Sequence, residues 1–294
     1  MSQIRRVSTA TVLKATSPDG RWQIELDDSS PEGNGGSRSS GNGSVTLFNT
    51  ELHQPVFEWH EIARPMDGDV SNTGRFVVLD AGWRSSGRMI VFDRNGQILY
   101  ERQFTANILT VSISPSGRYV LSQTLYAEGS QDCQVLEVAD LETGEVPIRT
   151  TPMTANPASY VIEETDDDII SRVIASIPSM GDFAYSAEGI FVDAYLYRIA
   201  QVDGDNLYEA VLAMEALMKQ SDVNVANKII ASAPNVAERL LSVNPRWAAK
   251  ALRFLGESFE LRERLGDAVY AYHQALALDP TVGVKRRLER IQNK

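Results

Sequence analysis

The chain has one cysteine, Cys133, among 294 residues, so it can build neither a disulfide framework nor a cysteine-based metal site. It has no apolar run near the ~20 residues that span a bilayer. Its N-terminal stretch MSQIRRVSTATVLK lacks the apolar segment of a secretory signal. Basic residues are scarce in the first 200 positions, where 15 Lys and Arg face 27 Asp and Glu. Phosphate contacts need clustered Lys and Arg, so this part is a poor nucleic-acid binder. GxxxxGK[ST], GxGxxG and GxSxG are all missing, which removes the common phosphate cradles and the nucleophile elbow. These absences lead to the expectation of a cytoplasmic protein without membrane, nucleic acid, metal or cofactor.

What is present is repetition. SPDGRW at 17–22, SNTGRF at 71–76 and SPSGRY at 114–119 share the form Ser-x-x-Gly-Arg-aromatic. Each runs into a strand-like stretch (WQIELDD, FVVLDAG, YVLSQTL), then a second (VTLFNT, MIVFD, QVLEVAD), a turn, and a third (PVFEWH, QILYERQF, EVPIRT). A further strand precedes each motif, clearest as ILTVSIS at 108–114. Gly74 and Gly117 lie 43 residues apart. The longer first interval is explained by the Gly/Ser/Asn tract at 29–44, which reads as a flexible loop. Four antiparallel strands in about 43 residues is the arithmetic of a propeller blade.

At these residues the chain resembles WD-repeat and TolB-like β-propellers, whose blades carry S-P-D-G-[KR]-aromatic turns. The Gly-His and Trp-Asp dipeptides of typical WD repeats are absent. A fourth unit is expected from SYVIEE, IISRVIAS, FAYSAEG and IFVDAYLY (159–197), without the Ser-x-x-Gly-Arg turn. Three or four blades are few for a closed ring, and open sheet edges recruit other strands.

Near residue 200 the periodicity becomes helical and the charge balances, with 13 basic against 12 acidic residues in 201–294. NLYEAVLAMEALMKQ forms one apolar stripe, and NVANKIIAS and NVAERLLSV read as two shorter helices around Pro234. In 249–280, Leu252, Leu255, Gly256, Phe259, Ala268, Tyr272, Ala275 and Pro280 resemble a tetratricopeptide repeat. Gly256 and Ala268 let two helices approach, Phe259 and Tyr272 fill the seam, and Pro280 stops the second helix. The basic segment TVGVKRRLERIQNK is read as a capping helix with solvated cations.

Candidate chemistry is sparse. His53, Glu58 and His60 match no zinc spacing, and Asp166–Asp168 lack the alternation of a calcium loop. Asp203-Gly-Asp205-Asn206 reads as a helix N-cap. Two places suggest binding. Trp83 and Arg84, with Arg88, are candidates for a loop anchor of the kind that dominates interfaces, the alternative being a Trp83 tucked between blades. The tetratricopeptide resemblance implies that Lys250, Arg253, Glu257 and Glu260 line a groove. The expected architecture is a β-propeller-like domain, 1–200, followed by a helical hairpin stack, 201–294. The expected function is a non-catalytic scaffold or adaptor that binds protein partners or itself through sheet edges and groove. The alternatives are an enzyme or small-ligand sensor using the propeller channel, or a regulatory subunit of a catalytic partner.

Overall fold

The computed structural model describes residues 12–28, 43–81, 87–154 and 156–293. Four antiparallel sheets come first and six helices follow. Most of the 29–44 tract lies outside the described residues; Gly43 and Ser44 begin a strand. Two compact units result. One is built on residues up to Pro178 and on Asp182–Val192, the other on Ser179–Gly181 and residues from Asp193 onward.

In the first unit every sheet is a meander in chain order. Sheet one holds β1 (Val12–Thr16), β2 (Trp22–Asp27), β3 (Gly43–Asn49) and β4 (Gln54–Ile62). Sheet two holds β5 (Pro65–Val70), β6 (Phe76–Asp80), β7 (Arg88–Phe92) and β8 (Ile98–Gln103). Sheet three holds β9 (Ile108–Ile113), β10 (Tyr119–Thr124), β11 (Leu136–Asp140) and β12 (Ile148–Thr150). Sheet four holds β13 (Ser159–Glu164), β14 (Ile170–Ile177) and β15 (Gly181–Ser186).

Strand alternation explains how these sheets stack. On sheet two, Phe76, Val78, Ile90 and Phe92 pack against Ile24, Leu26, Val45 and Leu47 of sheet one. The intervening Val77, Leu79, Met89 and Val91 pack against Val111, Ile113 and Val120 of sheet three. Sheet two is therefore apolar on both faces, and FVVLD reads as an unbroken apolar run for that reason. Sheet one alternates instead: Ile24 and Leu26 are buried while Gln23 and Glu25 are half-exposed. Among the described residues, no comparable packing joins the fourth sheet to the first.

The helical unit runs through α1 (Ala194–Val202), α2 (Leu207–Met218), α3 (Val223–Leu241), α4 (Pro245–Leu261), α5 (Leu265–Leu278) and α6 (Lys285–Gln292). Two expectations are corrected here. The segment 190–197 is not a strand: only Phe191 bridges to Tyr185, and the Tyr197 amide bonds the Asp193 carbonyl to open α1. Pro234 does not separate two helices but sits inside α3. Val225, Ile229, Ala233, Val236 and Leu240 keep one buried face along the whole helix. That face outweighs the single hydrogen bond that proline forfeits.

α4 and α5 form a close hairpin. A Cβ on Gly256 would stand 2.4 Å from the Tyr272 ring. Replacing an interior helical glycine by alanine ordinarily gains about 1 kcal/mol. Here Tyr272 is fully buried and its hydroxyl is held by Glu260, so the ring has no room to retreat. Gly256→Ala is expected to lower stability by about 1–3 kcal/mol in denaturant unfolding. A neutral or stabilised variant would contradict the close approach.

Candidate functional site

The Ser-x-x-Gly-Arg phrase is a turn that fastens one sheet to the next. In each copy the glycine amide bonds back to the serine carbonyl: Gly20 to Ser17, Gly74 to Ser71, Gly117 to Ser114. All three glycines have φ near +80°, the left-handed region that glycine enters without cost. The arginine then reaches forward into the following turn. Arg21 Nη2 donates to the Asn72 carbonyl at 3.3 Å, Arg75 Nη1 to Gly117 at 3.2 Å, and Arg118 Nη1 to Asp168 at 3.3 Å.

The last acceptor exposes a fourth turn. The Thr165 amide bonds the Ile169 carbonyl and the Asp168 amide bonds the Thr165 carbonyl, the pattern of Ser71–Arg75. Thr165 stands for serine, and Asp168, at φ 54°, stands for glycine. The acidic run Asp166–Asp168 is thus a structural turn. Threonine retains the hydroxyl, and aspartate is among the side chains that tolerate this conformation.

At the opposite end of the sheets, where β1, β5, β9 and β13 begin, lies a cavity of about 760 Å³. Leu13, Met66, Asp67, Ile108, Thr110 and Pro157 line it, so each sheet contributes a wall. Asp67 and Asp69 fasten β5 to β9. Asp67 Oδ2 accepts from the Thr110 hydroxyl at 2.7 Å and the Val111 amide at 3.0 Å. Asp69 Oδ2 accepts from the Ser112 hydroxyl at 2.9 Å and the Ile113 amide at 3.1 Å. Burial dominates Asp67 and raises its pKa from 3.8 to about 6, against the neutral donors that hold it, while Asp69 adds like charge.

Between Leu79 and Ala81 of the cavity wall, the buried Asp80 carboxylate accepts the Arg64 amide at 2.8 Å and pairs with Arg88 at 2.9 Å. Arg88, expected as part of a loop anchor, is bound to Asp80 and to Glu101 at 3.1 Å. Burial opposes the charge of Arg88, but these two carboxylates raise its pKa. Trp83 and Arg84 lie outside the described residues. A second buried acidic pair, Asp132 and Glu137, is held by Arg102 and Arg149, tying β8, β11 and β12 together.

In the helical unit, three of the four expected groove residues form one ion cluster with α6. Arg253 Nε donates to Glu257 at 2.8 Å, Arg287 lies 3.5 Å from Glu257 and 3.3 Å from Glu260, and Arg290 also pairs with Glu260. Glu257 is buried, and Glu260 also receives the Tyr272 hydroxyl. Burial and these carboxylates raise the Tyr272 pKa. The α6 cations Arg287 and Arg290 are therefore tied to α4, unlike the solvated cap expected. Lys250 stands apart, over the Trp247 ring at 4.4 Å. Asn206 caps α2, accepting from the Tyr208 and Glu209 amides. On another side of α4, an apolar hollow of about 400 Å³ between α3 and α5 has Leu241 and Tyr270 exposed at its rim. His60 meets Glu58 in an exposed pair. Among the described residues no cluster of three His, Cys, Asp or Glu could hold a metal ion.

The raised Asp67 pKa has a sign. The folded chain binds this proton more tightly than the unfolded chain does, so protonation stabilises the fold. The contribution is fully present below about pH 4 and is lost as pH rises through about 6. Asp67→Asn keeps an acceptor for Thr110 and Val111 but cannot titrate. Wild type is expected to gain on the order of 2 kcal/mol over this variant between about pH 7.5 and about pH 4.5. Paired thermal melts across that range measure it, and a pH-independent difference would contradict it.

No protein-family model and no curated protein matches the chain. A solved structure similar to it is the Kuenenia stuttgartiensis hydrazine synthase, at 19% identity and a TM-score of 0.40. That match covers 60% of this chain and 46% of the other, so it takes in less than half of that protein's length.

Proposed function

We propose that the chain is a non-catalytic scaffold that binds protein partners along the turn end of its sheets. In this reading the four sheets are blades of a propeller-like array, and α4–α5 is a tetratricopeptide-like hairpin with the hollow beside it as a further contact surface. The reading rests on one observation. At or just after the turn between third and fourth strands, or its equivalent after β15, each sheet exposes an apolar residue: Leu52 at 61%, Ile98 at 46%, Val146 at 42% and Ile190 at 64%. An up-and-down meander places this turn and the Ser-x-x-Gly turn at the same end, so the four side chains recur along one edge of the array. Scattered exposed leucines are ordinary, but a row repeated sheet by sheet has the make-up of an interface. The outer strands β4 and β8 are largely exposed and, among the described residues, each pairs on one side only, which adds edges for strand addition.

The test compares wild type with Leu52→Ser, Ile98→Ser, Val146→Ser and Ile190→Ser combined. Surface changes of this kind leave stability within about 0.5 kcal/mol each. Native mass spectrometry of the protein isolated from its own cells is expected to show wild type in an assembly and the variant released from it, with thermal stability retained. A wild type that is alone, or a variant that assembles as well, would overturn the proposal.

A further inference from the structure

The turns that carry the exposed apolar row also carry charge, and they carry it unevenly. All eight turns at this end of the sheets lie among the described residues. On sheets one and two, turns 17–22, 50–53, 71–75 and 93–97 hold three acidic residues against three arginines. On sheets three and four, turns 114–118, 140–145, 165–169 and 186–190 hold seven acidic residues against one arginine, Arg118. That arginine is already engaged. It pairs with Asp140 at 2.8 Å, lies 3.6 Å from Glu142 and donates to the Asp168 carbonyl. Glu145, Asp166 and Asp167 are exposed, and no cation among the described residues pairs with them.

Close contacts bring these turns together. Arg118 ties turn 165–169 to the third sheet. A Cβ on Gly189 would stand 2.7 Å from Ile148 Cγ2, so turn 186–190 lies against β12, just beyond Val146. Val146 and Ile190 of the row, with the exposed Ile169, therefore stand among unpaired carboxylates. The two features together select one kind of occupant. Exposed aliphatic side chains call for an apolar counterpart. Unpaired carboxylates call for cations, because complementary charge speeds encounter and rejects wrong partners. A nucleic acid or an anionic membrane would be repelled. A second copy docked through the same surface would set like charge on like.

We propose that the turn end of sheets three and four docks a basic protein segment bearing apolar side chains. Its Lys and Arg lie over Glu145, Asp166 and Asp167, and its apolar groups meet Val146, Ile169 and Ile190. The inference rests on the scaffold reading and names the chemistry of that partner. It also gives the row a direction, since the charge that attracts cations belongs to sheets three and four.

The test titrates the full chain with a peptide of repeated Lys-Leu-Leu-Lys units and two analogues, one with serine for leucine and one with glutamate for lysine. The parent peptide is expected to bind, with each analogue at least about tenfold weaker. Glu145→Gln, Asp166→Asn and Asp167→Asn combined are expected to weaken the parent peptide about tenfold. Glu215→Gln, Glu238→Gln and Glu289→Gln remove the same charge from exposed helical positions and are expected to change it less than about twofold. All six are surface changes, so both variants are expected to melt with wild type. Should either set unfold, Glu145→Lys and Glu215→Lys make the same comparison with one reversal each. Failure of the parent peptide to bind, equal binding of an analogue, or equal effects of the two sets would overturn the inference. The scaffold reading would still stand if the native assembly depends on the row, whereas a wild type found alone in its cells would remove both.

Discussion

A sheet that is apolar on both faces must lie between two others, and this constraint governs the first unit. Sheet two meets it with Phe76, Val78, Ile90 and Phe92 on one side and Val77, Leu79, Met89 and Val91 on the other. Truncating one buried aromatic of this kind costs about 3–5 kcal/mol, more than most other contacts here can offset. The order of the sheets follows from it. Sheet one, at the start of the series, turns Lys14, Gln23 and Glu25 away from the core and pairs two of them, Lys14 with Glu25.

Packing alone would let the sheets slide. The two ends of the strands prevent this by different chemistry. At the turn end, arginines hand a hydrogen bond forward from each turn to the next, and Ser116 is also gripped by Glu164 at 2.6 Å. Along the inner strands, Asp67 and Asp69 hold β9 at two positions one alternation apart. The registered turns keep the exposed apolar residues in a row. The registered inner strands hold open a cavity to which every sheet contributes. The exposed apolar residues at the turns and the cavity are thus consequences of the same stacking.

Much of this was legible in the residues. The three turns and the strands after them stand where the repeated phrase put them, because serine, glycine and arginine each have a local task. The resemblance to a tetratricopeptide repeat pointed to a close helix pair at Gly256, and the structure sets that glycine against the Tyr272 ring. What escaped was chemistry that needs partners far along the chain. Thr165 and Asp168 replace the turn's signature residues while keeping its hydrogen bonds, so the fourth turn is visible only in the backbone. The acidic strand DGDV gave no sign that Asp67 and Asp69 serve β9, since their acceptor role depends on residues 43 positions away. Glu257 and Glu260 were read as groove-lining residues, but Arg253 and the α6 arginines Arg287 and Arg290 pair with them. Pro234 misled because propensity is local while the buried face of α3 is not.

Hydrogen exchange of the isolated chain, resolved strand by strand, tests the stacking directly. Amides in the core of a series open only with the whole, whereas those at its ends open locally. The account predicts the slowest exchange in β6, β7, β10 and β11, and markedly faster exchange in β1, β4 and β14. Equal protection of all four sheets would contradict it, because the end sheets would then be covered as well as the middle ones.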